Sequence, residues 1–134
     1  MKIRKLLKSD YKTLEKWWKA WDWPPIKKDF LPEDGESGLM VEAEDGTLIV
    51  AGFLYMTNSN AVLLEWIISN PEYRENDRDS LIELLIEGAE NMVKHLEYKY
   101  LFSVCQHEKL IDKHKKLGWV IDKSPSHEMT KILK

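Results

Sequence analysis

The sequence has a single cysteine, Cys105, so no disulfide can form within one chain and stability must come from a packed core. One thiol fits a reducing compartment, and a cytoplasmic location is the expectation. No apolar run approaches the ~20 residues that would span a bilayer, which excludes a helical membrane span. The N-terminal stretch Met1-Lys2-Ile3-Arg4-Lys5-Leu6-Leu7 lacks an extended apolar region after its charges, so it does not read as a secretory signal. Metal-ligating residues are sparse. Cys105-Gln106-His107 has no neighbours at zinc-ligand spacing, and His107 and His114 would lie roughly 10 Å apart along a helix, too far for one ion. No metal is expected. Repeats, low-complexity tracts and linkers are also missing.

What remains is a chain of 134 residues, 43% hydrophobic and 32% charged, the size and composition of one globular domain spanning residues 1–134. Its net charge of −3 is unevenly spread: residues 1–28 carry +6, residues 29–97 carry −13 and residues 98–134 carry +4. Either these charges meet in the fold, or the acidic centre steers a cationic substrate. Lysines beside tryptophans in residues 1–28 raise the idea of nucleic acid. The chain is acidic overall, however, and has no nucleic-acid-binding motif, so no such partner is expected.

Hydrophobic periodicity predicts a short first strand around Ile3, Leu6 and Leu7. A helix capped by Ser9 follows, with Tyr11, Leu14, Trp18 and Trp21 on one stripe, stopped by Pro24-Pro25. Residues 26–38 read as a loop with one helical turn near Lys27 to Leu31. Strands are expected at Leu39–Ala43, Leu48–Met56 and 62–69, joined by an Asp45-Gly46 hairpin and an Asn58-Ser59-Asn60 turn. Ser80-Leu81-Ile82-Glu83 is a capping-box pattern opening a helix to about Leu96. A strand at Tyr98–Val104 and a helix at Glu108–Leu117, closed by Gly118, come next. Trp119-Val120-Ile121 and Met129 to Leu133 are expected to pair as a last hairpin. Strands mixed with helices in this order predict a mixed α/β sheet, mostly antiparallel, with helices on both faces.

Glu65 is the chemically suggestive residue in this frame. It lies inside an apolar strand, where burial would raise its pKa toward that of a general base at neutral pH. A glutamate on the open face of the sheet, or one paired with a lysine, is the alternative. The stretch that follows, Ile68-Ser69-Asn70-Pro71-Glu72-Tyr73-Arg74, leads a strand into a loop and a helix N-terminus. The first amides of a helix have no internal partners and favour anions.

Two motifs resemble the GNAT N-acetyltransferase superfamily. One is that strand end with the loop-opening Arg74. The other is Leu110 to Trp119, ending Lys116-Leu117-Gly118-Trp119. The resemblance spans nearly the whole chain. It implies acetyl-CoA held in a V-shaped opening between the 62–69 and 99–105 strands, and direct acetyl transfer to an amine, either a small molecule or a protein amino group. It gives Glu65 the role of base and His114 that of acid. Ile67, Ile68 and Ser69 would meet the thioester and pantetheine through their backbones. Arg74, Asn76, Asp77, Arg78, Asp79 and Ser80 would form the diphosphate loop, with His107 at a further cofactor contact. Trp21, Trp23 and Phe30 would line the acceptor pocket, although helical spacing also assigns the tryptophans of this segment to the core.

The loop departs from the family's pattern at its two glycine positions, which hold Asp77 and Asp79. At ~6 Å and an effective dielectric of ~20, each adds roughly 3 kcal/mol of repulsion toward a diphosphate charge. Either carboxylate could instead occupy the helix amides and block them. The alternative function is therefore a catalytically inactive GNAT-fold binding module that has lost acetyl-CoA binding. A homodimer is left open.

Overall fold

The near-continuous apolar runs in 38–69, buried on both faces of a sheet, fold into a three-strand meander that forms the middle of the molecule. The computed structural model describes all 134 residues. Five strands, β1 (Lys2–Lys5), β2 (Gly38–Glu42), β3 (Leu48–Met56), β4 (Ala61–Ser69) and β5 (Tyr100–Phe102), lie side by side in chain order. The first three junctions are antiparallel, whereas β4 and β5 are parallel and are linked by the helix α2 (Arg78–His95). Helix α1 (Asp10–Ala20) packs on one face of the sheet. Helices α2 and α3 (Glu108–Lys116) lie on the other.

Each face has its own core. Val50, Leu54, Val62 and Leu64 meet Leu81, Leu85, Ile86, Ala89 and Val93 of α2. Met40, Ala51, Phe53 and Ile68 meet Leu14, Trp17 and Trp18 of α1. A fully buried leucine or isoleucine side chain contributes roughly 1.5–3 kcal/mol, so these two layers dominate stability. The start of α1 is fixed by charge as well. Asp10, only 4% exposed, accepts hydrogen bonds from Arg4 at 2.8 and 3.0 Å and from the Leu7 amide at 2.7 Å. Burial alone would raise the Asp10 pKa, but the Arg4 and Leu7 donors outweigh it and hold the carboxyl below its ordinary value. Arg4 also donates to Glu42 at 2.6 Å, tying β1, β2 and α1 together.

The start of α1 falls where the sequence places it, with Ser9 at the N-cap position, but four details of the elements differ from the sequence expectation. Ser9 precedes α1 but its hydroxyl caps nothing; the Asp10 carboxylate takes the free amide of Leu7 instead. Helix α2 begins at Arg78, two residues before Ser80, so the capping-box pattern lies inside the first turn and makes no cap. Strand β5 is limited to three residues. The expected hairpin from Trp119 to Leu133 does not form: residues 119–134 hold no strand, and Val120 is 95% exposed. Its first arm would have been three residues long, and Trp119 is drawn away to α2, where its indole donates to Glu90 at 3.2 Å. So short an isolated ribbon is marginal without a third strand.

Candidate functional site

Between Ala51 and Phe53 the β3–β4 register slips: Phe53 faces Glu65, Ala51 faces Ile68, and Gly52 alone opposes both Trp66 and Ile67. This is a β-bulge, and Trp66 adopts φ 56°, a left-handed conformation that costs a bulky residue about 1–3 kcal/mol. One consequence is geometric. Glu65 shares the face of Phe53, and Trp66, one residue on, packs into the same α1-side layer. The bulge therefore places Glu65 and Trp66 side by side on one face. The glycine in the strand interior was the available signal for it.

The β4–β5 pairing ends at Leu63↔Phe102. Beyond it the two segments are bridged by a side chain, with the Val104 amide donating to Glu65 Oε1 at 2.8 Å. Glu65 thus stands at the mouth of the gap between β4 and the segment after β5. Burial pushes its carboxyl up to about 7, aided by the charge of Glu128 and opposed by the Val104 hydrogen bond. Its charge also reaches Tyr55 and Cys105, adding to the burial that raises both groups.

At the far end of β4 an open cleft of about 590 Å³ lies between the C-terminus of α1 and the N-terminus of α2. Its lining includes Trp21, Pro71, Arg74, Asn76, Arg78 and Asp79. Arg78 folds back on its own loop, its Nε donating to the Tyr73 carbonyl at 2.9 Å and its Nη2 to Asn70 at 3.3 Å. Its guanidinium also lies 5.8 Å from the Trp21 ring centre. The two aspartates turn away from the helix amides: Asp77 accepts from the Tyr73 hydroxyl at 2.7 Å, and Asp79 pairs with Lys113 at 3.3 Å. No side chain caps α2, and the Asp79 and Ser80 amides find no backbone acceptor. Arg74 is exposed and makes no ion pair. The loop is thus prearranged by Arg78, with Arg74 and two helix amides left to face an anion.

The remaining sequence-derived candidates are placed as follows. Ile67, Ile68 and Ser69 form the end of β4 beyond the bulge; Ile68 is buried, and the Ser69 carbonyl accepts from the Trp21 indole at 2.8 Å. Trp21 and Trp23 stack with ring centres 6.4 Å apart beside the loop cleft. Phe30 sits apart from them, 6.2 Å from Trp66. His114 is 3% exposed; its Nδ1 lies 2.8 Å from the Leu110 carbonyl, its Nε2 has no partner, and its ring meets Trp119 edge-on at 4.7 Å. None of these contacts joins it to Glu65. His107 precedes α3, and its carbonyl accepts the Leu110 and Ile111 amides. Sequence reasoning missed Tyr55, Trp66 and the Val104 amide, because each enters the site through register.

The same architecture occurs in known acetyltransferases. A probable acetyltransferase superposes with a TM-score of 0.74 at 15% identity, covering 100% of this chain and 99% of that one. A GNAT-superfamily phosphinothricin acetyltransferase from Sinorhizobium meliloti, in complex with AcCoA, gives 0.64 at 14% identity over 87% of this chain and 73% of that one. A GNAT-family acetyltransferase from Listeria monocytogenes gives 0.62 at 15% over 92% and 88%. This chain has the GNAT fold. No family model matches its sequence, and no curated protein does either, so the likeness rests on the backbone arrangement. In that fold the gap at Glu65 and the loop cleft at Arg74 lie along one strand, β4. No helix is long and apolar enough to cross a membrane.

Proposed function

We propose that this GNAT-fold chain is an acetyl-CoA-dependent N-acetyltransferase acting on a primary amine. The observation that carries this reading is the half-buried Glu65 carboxylate at the point where β4 parts from β5, beside a bulge in the same strand. Acetyl-CoA supplies the acetyl thioester. Arg74 and the Asp79 and Ser80 amides hold its diphosphate, and the β4 backbone from Ile67 to Ser69 borders its pantetheine arm. Glu65, with its pKa near 7, removes one proton from the bound ammonium. The freed amine forms the C–N bond as the C–S bond breaks, the acylated nitrogen releases its second proton to solvent, and the departing thiolate takes up a proton. His114, enclosed by Leu110 and Trp119, reaches that thiolate only if the ring moves, so solvent is the simpler proton source.

The rival reading is a binding module without acetyl-CoA. Its support is the loop itself, where Arg78 is committed to carbonyls and two carboxylates stand at the glycine positions. Isothermal titration calorimetry with acetyl-CoA separates the two. Saturable heat, with a melting temperature that rises with cofactor, is expected. No heat and no thermal stabilisation at about 1 mM cofactor would remove the transferase reading.

A further inference from the structure

Three aromatic side chains beside Glu65 are locked to one another. The Trp66 indole donates to the Tyr55 hydroxyl at 2.8 Å, and that hydroxyl donates to the Phe30 carbonyl at 3.0 Å. The Phe30 and Trp66 rings lie 6.2 Å apart at 60°. Both polar hydrogens of this wall, the indole N–H and the phenol O–H, are therefore already engaged. The aromatic carbon surface of this wall is open to solvent, with Phe30 52% exposed and Trp66 and Tyr55 part-open. Leu63 extends the same face, opposite Tyr55 in the register. The polar group next to this wall is Glu65, with Oε1 engaged by Val104 and Oε2 without a protein partner.

A wall of π faces with no free donor offers nothing to an anion or a polyhydroxylated substrate. It suits a cation, because ring faces carry negative charge density and a carboxylate completes the pairing. The wall itself (Tyr55, Trp66, Phe30 and Leu63) carries no carboxylate, and Glu128 acts on Glu65 through its charge alone, so the contact surface offers one hydrogen-bonding carboxylate to one positive charge. We infer that the acceptor is a monoamine, a single ammonium carried on an apolar or aromatic body, seated between the Glu65 carboxylate and the faces of Trp66 and Phe30. The inference rests on the transferase reading for its chemistry, but its binding geometry stands apart from the cofactor loop. Trp66 and Tyr55 become specificity-determining residues, and the strained backbone at Trp66 is what aims its ring at the site.

The test uses 2-phenylethylamine, spermidine and a lysine-containing peptide as probes. Each is titrated into the protein by calorimetry at pH 8, with and without CoA, and then assayed for acetyl transfer. Phenylethylamine is expected to bind about 10-fold more tightly than spermidine or the peptide. Phe30→Ala should weaken it by about 5- to 20-fold and raise its KM, while the acetyl-CoA KM and the melting temperature stay unchanged. Phe30→Tyr, which keeps a ring face, should retain the affinity. Equal or tighter binding of spermidine or the peptide, no amine binding in either condition, or an unaltered Phe30→Ala variant would each overturn the inference. Amine binding without any acetyl-CoA binding would instead remove the transferase reading and leave the amine site standing. Acetyl-CoA binding without amine preference would do the reverse.

Discussion

Glu65 concentrates the chemistry of this molecule in one side chain, and its two linked properties can be separated by a single substitution. As a base it must be ionised, so kcat should climb with pH up to about 7 and level off above. Glu65→Gln keeps the shape and can still accept from the Val104 amide, but cannot take a proton. It should lower kcat by about 10²- to 10⁴-fold. Stability should move the other way. The folded carboxyl titrates near 7, above the ordinary glutamate value of ~4.3, so the folded protein holds a proton that the unfolded chain has already released. Stability therefore falls as pH rises between those two values. Thermal melts at pH 5 and pH 8 should show a smaller loss for Glu65→Gln than for the natural chain. An equal loss in both would mean that Glu65 is not held in its proton-binding environment.

At the scale of elements, the loop into α2 and the meander of β2, β3 and β4 set the site, and each has a substitution that reads its role. Asp79 is charged, 79% exposed and tied only to Lys113. Asp79→Asn removes one repulsion toward a diphosphate and frees the Lys113 ammonium. Acetyl-CoA affinity measured by calorimetry in 50 mM salt should improve about 2- to 10-fold, and most of the gain should vanish in 0.5 M salt. Unchanged affinity would show that the diphosphate lies elsewhere. In the sheet, Gly38 meets β3 so closely that an added Cβ would stand 2.2 Å from the Gly52 carbonyl oxygen. That neighbour is backbone and cannot rotate aside. Gly38→Ala should cost more than about 2 kcal/mol in chemical denaturation, against near-zero for Gly46→Ala if its turn were unstrained. Gly46 has φ 89°, so a smaller loss of about 1 kcal/mol is expected there. These glycines also show what the sequence could and could not display. Apolar runs at Leu48–Met56 and 62–69, bounded by turn residues, exposed the strands, and Glu65 stood out because it interrupted one of them. The bulge that brings Trp66 beside it, and the Tyr55 hydroxyl that fixes its indole, depend on which residues face each other across β3 and β4. Register is a tertiary property, and only Gly52 hinted at it. The capping-box reading at Ser80 failed for a related reason: Arg78 and Asp77 organise the loop through Tyr73, a contact that local pattern does not encode.

Across the whole molecule, part of the uneven charge is paired between the segments. Lys113 reaches Asp79 and Lys116 reaches Glu83 at 2.9 Å, so the basic C-terminal segment docks α3 on the acidic α2. Arg4 does the same between the basic N-terminal segment and Glu42. The anchoring is unequal, however. Strand β3 lies between two apolar layers and helix α2 is buried in one of them, whereas in α3 only His114 is buried, and each of its ion pairs has one exposed member. Exposed pairs are worth about 0.2–1 kcal/mol apiece and are screened by salt, while apolar burial is not. The molecule should therefore open from its C-terminal third inward. In native-state hydrogen exchange, amides of residues 119–134 should exchange first, those of α3 next and those of β3 last. Raising the salt from 0.05 to 1 M should speed exchange in α3 by about 2- to 20-fold and leave β3 unaltered. If α3 instead exchanged as slowly as β3 at both salt concentrations, then Leu110, Leu117 and Trp119 would be holding it by apolar contact alone, and the charge segregation would have no structural role at that junction.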